Sequence, residues 1–412
     1  MKRAILFAVL FIFMFSFAFS KTTITYWQYF YKTKQDTINQ LIKEFEKENP
    51  DIEVKHVTFP YENYNQKVAA SLPAGVGPDV INLFYGWLPM YIESGYLMEL
   101  PKDTFNKDYF DNNFYPFVEK SVQYEGKYYA VPTAVRSLAL FYNKKILKEI
   151  GLEQPPKNLN EVIEVAKKLS KYDKRGNLIR AGFTMQPSGQ HHHWLREVLV
   201  RQFGGVPYTS DNKTVLYDKT GAKSEVLQWY VDRIVKDNVG FPNFLNDDVT
   251  AFQSNMAAMT IDGSFRLGTL DANRNLDYGV VELPEYNGIK SNFASFWAHG
   301  ITTNAKGEKL DASVKFLEFI TSPKAMELWL KNTGELPANP EVALKYYDDP
   351  KYGPFLKGLE YAHATFFADE KAQRELMMNA IDEVYLKDVS AEDAWKKAAD
   401  TEQKILDEFW NK

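Results

Sequence analysis

Apolar and polar positions alternate along the first part of the chain in a way that names its elements in turn. Residues 22–26 alternate Thr, Ile and aromatic side chains, which predicts a strand. In 35–48 the apolar residues Ile38, Leu41, Ile42 and Phe45 recur at helical spacing, and Asn49 with Pro50 stops that helix. Residues 52–59 alternate again as a second strand, 64–72 read as a helix, and 73–78 form a Pro- and Gly-rich turn. Positions 79–84 are then largely apolar, the pattern of a strand buried on both faces. Strand, helix, strand, helix, strand predicts right-handed crossovers and an α/β layer architecture.

The rest of the chain is read the same way. A turn and short strand occupy 126–132, and another strand 138–142. One helix covers 159–169, with Leu159, Val162, Ile163 and Ala166 on one face, and another lies within 220–235. An apolar turn from 252 feeds a strand at 257–261, and 278–283 is strand-like. The helix at 313–320 ends at Thr321, after which Ser322 caps a new helix with Pro323 at its first position. A charged amphipathic helix spans 391–410. There is no internal repeat and no low-complexity linker, so the chain is expected to pass between domains by direct crossings.

The first twenty residues read as an export signal. Lys2 and Arg3 precede an apolar run over 4–19, and Ala18 and Ser20 place small residues before Lys21, the expected first residue after cleavage. The run is short for a membrane span. With no cysteine in the chain, neither disulfides, thiolate metal sites nor a lipid-modified N-terminal Cys is expected.

At 412 residues the chain exceeds what one core usually supports, so two domains are expected. The net charge is −5 and falls further once Lys2 and Arg3 are removed, which argues against nucleic acid and anionic membrane surfaces as partners. Aromatic residues make up 15% of the chain, more than a core alone requires if some rings face a ligand.

No catalytic constellation is present: there is no GxSxG elbow, no HExxH and no phosphate-binding loop. Gly75, Gly77, Gly204 and Gly205 do not form a dinucleotide fingerprint. Paired carboxylates could serve a glycosidase, but 54 acidic residues make such pairs uninformative. His191, His192 and His193 leave three readings open: a metal site, ligand-facing polar groups, or ordinary surface. They follow a polar loop and precede Trp194. Asp262, Gly263, Ser264 and Phe265 follow a strand directly, where free amides at a helix start could meet a ligand oxygen.

Taken in order, several segments carry a family resemblance. They are ITYW (24–27), the step over 41–52, AGVGPDVI (74–81) with Trp87 and GYL (95–97), GKYYAVP (126–132) leading to LFYN (140–143), FQSNMAAM (252–259) leading to DGSF (262–265), and FLEFITS (316–322) with the downstream Leu336 and Pro337. The chain resembles the extracellular solute-binding proteins of ABC transporters, in the branch of maltose-binding-protein-like sugar receptors. The likeness runs through nearly the whole chain after residue 20.

That resemblance implies an α/β, two-lobed periplasmic-binding-protein fold with both lobes discontinuous in sequence and a ligand cleft between them. The implied division is 1–20 signal peptide, 21–131 plus 262–305 for the N-terminal lobe, and 132–261 plus 306–412 for the C-terminal lobe. Crossings are expected near 131–134, 260–263 and 303–310. The resemblance implies a substrate-binding component of a sugar importer, binding an oligosaccharide and delivering it to ABC permease subunits, with no enzymatic activity, cofactor or metal. The protein is expected to be monomeric, without nucleic-acid partners, and periplasmic or secreted.

The ligand-binding residues it implies are Trp27, Gln28, Tyr64, Tyr85, Trp87, Arg136, His193, Trp194, Asp262, Phe265, Arg266, Phe296, Trp297 and His299. Trp and Tyr would stack on pyranose faces, and Asp262, Arg136 and Gln28 would hold hydroxyls. Phe265 stands where relatives often carry Trp. The alternatives are the same fold with a polyamine, a phosphate ester or iron, the last through Tyr128 with Tyr129 or Tyr346 with Tyr347, and a secreted glycoside-active enzyme.

Overall fold

The computed structural model describes residues 21–411, and the expected signal segment at 1–20 lies outside them. Strand β1 (Thr22–Tyr29), helix α1 (Lys32–Glu48), strand β2 (Ile52–Phe59), helix α2 (Tyr61–Ser71) and strand β3 (Val80–Phe84) follow the order that the pattern predicts. β1 runs parallel to both β2 and β3. The apolar stripe of α1, with Ile38, Leu41 and Phe45, is buried.

The two short strands expected at 126–132 and 138–142 are largely one strand, β4 (Ala130–Asn143), and it organises the molecule. Its course through the fold involves helix α3 (Leu159–Leu169), strand β5 (Leu178–Phe183), helix α4 (Glu225–Val235), strand β6 (Ala257–Gly263), strand β7 (Tyr278–Glu282) and strand β8 (Asn292–Ile301). The sheet order is β2-β1-β3-β8-β4-β6-β5, with β7 on the other side of the distal half of β4. Residues 130–137 of β4 pair antiparallel with β8, whereas Leu138 to Tyr142 pair with β6. The chain therefore changes lobes within a single strand, between Ser137 and Leu138. Arg136 and Ser137 break the apolar pattern just before that change, but a polar pair inside a buried strand does not by itself mark a crossing, and the expectation of 131–134 falls several residues early.

Helix α5 (Glu308–Ile320), helix α6 (Pro323–Thr333), helix α7 (Glu370–Lys387) and helix α8 (Ala391–Trp410) complete the fold. Ser322 accepts from the amide of Ala325, the expected cap of α6. α5 and α6 pack on β1 and α1, where Phe316 meets Tyr26 and Phe45 edge-on at 5.6 and 5.2 Å. Leu336 and Pro337 pair with the first half of β4. This differs from the expectation that everything beyond 306 joins the C-terminal lobe; α7 and α8 pack there, with Trp395 against Tyr217 at 4.6 Å, and Phe355 packs on Phe141 of the distal half of β4 at 5.6 Å. Residues 264–291 likewise stay with the second lobe, because β7 pairs with the distal half of β4. The second crossing lies at Asn292 and Phe293, and the third near Ala362 and His363, which pair with them. Amphipathic periodicity shows that a helix has a partner but not which sheet supplies it. Among the described residues no helix is long and apolar enough to cross a membrane.

Candidate functional site

The strands β1, β2 and β3 end at one edge of the first lobe, and the residues at and after their ends converge there. This is where α/β sheets gather ligands, because side chains and free amides from successive turns meet at the C-terminal strand ends. Tyr29, Phe59 and Phe84 end β1, β2 and β3, and Phe30, Tyr31, Tyr61 and Trp87 follow them. β8 adds Phe293, Ser295 and Trp297, alternate positions that face one way because strand side chains have a period of two. The second lobe contributes Gln190, His192, His193, Phe265 and Arg266, and the first turn of α7 adds Glu370, Lys371 and Arg374. Together they enclose a cleft of about 1040 Å³ between the lobes, at the upper end of the usual size of small-molecule sites.

Aromatic rings dominate the first-lobe wall. Trp297 lies 4.2 Å from Tyr29, 5.3 Å from Trp87 and 6.2 Å from Tyr61, centroid to centroid. Phe30 and Tyr31 are each 46% exposed and Tyr61 is 54% exposed. Large aromatic faces left open to water gain free energy when an amphipathic ligand covers them.

Beneath this wall sits a buried ionic cluster. Glu335 Oε1 accepts from Arg136 Nε at 2.6 Å, and its other oxygen lies 2.9 Å from Lys34 Nζ and accepts from Trp329 Nε1 at 2.9 Å. Arg136 also donates to the Tyr29 hydroxyl at 3.2 Å, and Lys34 sits 4.7 Å over the Tyr29 ring. Burial pushes the Glu335 carboxyl up, but Arg136 and Lys34 together outweigh it and hold it at about 2. Burial lowers Lys34 to about 8 against the pull of Glu335. One carboxylate thus serves two cations and fixes Tyr29 in the wall.

The opposite wall is held by a helical run that widens to π-type turns over Pro187–His191 and Trp194–Leu199, interrupted at Gly189 where φ −75° and ψ −123° leave helical space. Such widened turns are frequent at functional sites because they redirect side chains. The three histidines diverge. His191 turns into the core against Tyr230, whose hydroxyl lies 3.1 Å from its Nδ1. His192 and His193 line the cleft, with ring centroids 3.9 Å apart. Burial lowers His191 and His192 to about 3 and pushes His193 well below its ordinary value, so all three are neutral. Among the described residues no three His, Cys, Asp or Glu side chains group to hold a metal ion. Phe265 lies between Arg136 and Arg266, 4.9 and 5.1 Å from their guanidinium carbons.

Of the residues singled out from the sequence, Trp87, Arg136, His193, Phe265, Arg266 and Trp297 line the cleft. The other eight do not. Trp27 packs edge-on against Phe59, and Tyr64 donates to the carbonyls of Trp27 and Asn82 at 3.1 and 2.7 Å. Gln28 is buried next to the Tyr26 hydroxyl. His299 is fixed by Tyr26 at 3.1 Å and Thr133 at 2.9 Å. Tyr85 stacks on Phe296 at 4.9 Å, away from the cleft. Trp194 fills the second-lobe core against Phe183 and Tyr230, and Asp262 is occupied by Arg266 at 2.7 Å. Phe296 shows the reason most directly. It is the strand neighbour of Trp297, so the pleat turns it to the opposite face. The sequence reading missed Tyr29, Lys34, Tyr61, Phe293, Glu335 and Arg374. Tyr29 and Tyr61 follow strands that the sequence places, whereas Phe293 lies at the start of β8, a strand the pattern does not predict, and Glu335 gave no local signal.

A sequence model of bacterial extracellular solute-binding proteins matches residues 40–354. The maltotriose-binding protein of Pyrococcus abyssi is 26% identical over 361 residues, covering 82% of this chain and 72% of that protein. The galactooligosaccharide-binding protein of Bacillus subtilis is 26% identical over 325 residues, covering 76% and 72%. Among solved structures, the cyclic α-maltosyl-1,6-maltose-binding protein of Arthrobacter globiformis superposes with a TM-score of 0.80 at 20% identity, covering 94% of this chain and 99% of that one. The maltose/maltodextrin-binding domain of Bdellovibrio bacteriovorus, bound to maltotriose, gives 0.73 at 24% identity, covering 93% and 100%.

Proposed function

Because the chain belongs to the bacterial extracellular solute-binding protein family, we propose that it captures an oligosaccharide in the interlobe cleft and delivers it to the permease of an ABC importer. The observation that carries this reading is the cleft itself: a space of about 1040 Å³ with open aromatic faces on one wall and neutral, buried polar groups on the other. Pyranose rings present apolar faces for stacking and a rim of hydroxyls for hydrogen bonding, and both needs are met. The relatives that bind maltotriose and galactooligosaccharides support the same class. A polyamine would need convergent free carboxylates; of Glu62, Glu335 and Glu370, which line the cleft, Glu335 is claimed by two cations and Glu370 by Arg374 at 3.1 Å, which leaves Glu62 alone. Tyr128, Tyr129, Tyr346 and Tyr347 do not line the cleft, so the iron reading has no support there.

On this reading the protein is a receptor that releases its ligand intact, acts as a monomer outside the cytoplasmic membrane after loss of residues 1–20, and needs no cofactor. Closure of the lobes is a ligand-driven shift between two arrangements, pivoting on the crossings at 137–138, 292–293 and 362–363. The test is a thermal-shift screen against gluco-, galacto-, manno- and xylo-oligosaccharides, with spermidine, phosphate and ferric citrate as controls. A ligand that binds only the folded form raises the midpoint by mass action. A rise with one sugar series, with the sugar recovered uncleaved, supports the proposal. A rise with a control alone, or cleaved sugar, overturns it.

A further inference from the structure

The cluster of Lys34, Arg136 and Glu335 holds two cations and one carboxylate. Lys34 and Glu335 are each 5% exposed and Arg136 is 17% exposed, so water does little to screen the difference. Among the described residues no other carboxylate lies within ion-pair distance of Lys34 or Arg136. The Tyr29 hydroxyl beside Arg136 stays neutral, because burial pushes it well above its ordinary value. Lys34, lowered only to about 8, keeps most of its charge at pH 7. Elsewhere in the cleft Arg266 is answered by Asp262 at 2.7 Å and Arg374 by Glu370 at 3.1 Å, while Lys371 and Glu62 are exposed to solvent. One uncompensated positive charge therefore sits in the cleft wall of a chain whose net charge is −5. Arg136 spends Nε and Nη2 on Glu335 and Tyr29, but its Nη1 has no partner within the protein and is not sealed from solvent. Arg266 donates to Asp262 through Nε, and its two terminal nitrogens are equally free. The two guanidiniums flank the Phe265 ring at 4.9 and 5.1 Å, and all three residues line the cleft.

We infer that the ligand is an acidic oligosaccharide, and that a uronate carboxylate bound through Arg136 supplies the counter-charge this cluster lacks. The inference names the substrate class of the same cleft and rests on the sugar-receptor reading. A guanidinium presents its N–H groups as a planar fork that matches the two oxygens of a carboxylate, and such charge-assisted bonds are about twice as strong as neutral ones. Hydroxyls of a neutral sugar can accept from the same nitrogens, but they leave the buried surplus uncompensated. The charge count also separates the candidates. The surplus is one, which a carboxylate matches, whereas a phosphate monoester carries about −1.5 to −2 at pH 7. The open faces of Phe30, Tyr31 and Tyr61 take pyranose rings, so a uronate within an oligosaccharide uses both the aromatic wall and the cationic one, and a small free acid does not.

The experiment is calorimetric titration of the exported chain with trisaccharides of glucuronate, galacturonate, mannuronate and guluronate, and with the same sugars after reduction of each carboxyl to a hydroxymethyl group. Sulfated trisaccharides and inorganic phosphate are the further arms. One uronate is expected to bind about 10-fold or more tighter than its reduced form, the value of one charge-assisted pair. Arg136→Gln leaves Lys34 and Glu335 as a balanced pair, so it is expected to fold and to bring that ratio down to about 3-fold or less. The ratio is the readout, because loss of packing around Tyr29 would weaken both forms alike. Should that variant not fold, Lys34→Met, which leaves Arg136 and Glu335 balanced, takes its place, and the wild-type ratio decides on its own. A reduced sugar that binds as tightly as its uronate overturns the inference and leaves the sugar-receptor reading standing. A ratio unchanged in the variant overturns the assignment to this cluster. Binding of the sulfated sugars alone overturns the carboxylate, and binding of phosphate alone, or of nothing, overturns the sugar-receptor reading with it.

Discussion

The side-chain amide of Asn292 is hydrogen-bonded to both backbone groups of Leu138: Oδ1 accepts from the Leu138 amide at 3.1 Å, and Nδ2 donates to its carbonyl at 2.8 Å. Leu138 is the residue at which β4 leaves its pairing with β8 for β6. The Asn292 side chain thus joins the start of β8 to Leu138, which pairs with Gly263 of β6, and so ties two of the three crossings together. Ser137, the preceding residue, donates to the carbonyl of Phe355 at 2.8 Å, so the segment that leads to the third crossing is tied to the same point.

Asn292→Ala removes the two side-chain hydrogen bonds made to the buried backbone of Leu138. A loss of about 2–4 kcal/mol is expected from the loss of both, read as a lower midpoint in urea unfolding. Gly358→Ala tests the same point sterically, since a Cβ there would lie 2.4 Å from Asn292 Nδ2. A stability change under about 0.5 kcal/mol in the Asn292 variant, the range of ordinary surface changes, would show that the crossing does not depend on this amide.

Glu335→Gln leaves Lys34 and Arg136 buried without their shared counter-charge. The expected loss is about 3–5 kcal/mol. The wild-type carboxyl, held at about 2 in the fold, is depressed below its unfolded value of about 4.3, so its contribution is complete above that value and fades as pH falls toward 2. Stability curves of wild type and variant should therefore converge over that window and stay apart at pH 7.

The buried histidines make the fold sensitive to acid. His191, His192 and His299 are lowered to about 3, and His193 lies well below its ordinary value, all chiefly by burial. Between the unfolded value of about 6.5 and the folded values near 3, the unfolded chain binds protons that the native protein does not, so stability falls as pH drops through that range. Unfolding near pH 5 is expected to take up more than one proton, measurable from the pH dependence of the unfolding free energy. A flat profile between pH 7 and 4 would contradict the neutral burial of these rings.

Two aromatic substitutions separate binding from packing. Tyr61 is more than half exposed, so Tyr61→Ala should weaken sugar affinity about 3- to 10-fold, the value of one aromatic contact, with little change in thermal midpoint. Trp297 is buried against Tyr29 and Trp87, so Trp297→Ala should cost stability as well as affinity. Calorimetric titration with the sugar found by screening, alongside thermal unfolding, distinguishes the two.

The sequence by itself determined the elements and the fold class. Helix 35–48, strand 52–59 and the Ser322 cap depend on side chains within one turn or one pleat of each other, so their spacing is visible without the fold. α7 was not read, because its apolar residues hold no regular stripe. The ordered segments also pointed to the cleft, and to Trp87, Arg136, His193, Phe265, Arg266 and Trp297 on its walls. What only the tertiary structure decided is which face each neighbour presents and which distant residues meet. Phe296 and Trp297 are adjacent yet lie on opposite faces of β8, and Glu335 joins Arg136 across 199 positions. Arg136 and Ser137 interrupt the apolar run beside the crossing, yet they do not locate it; its position is set by where β8 ends and β6 begins to supply hydrogen bonds.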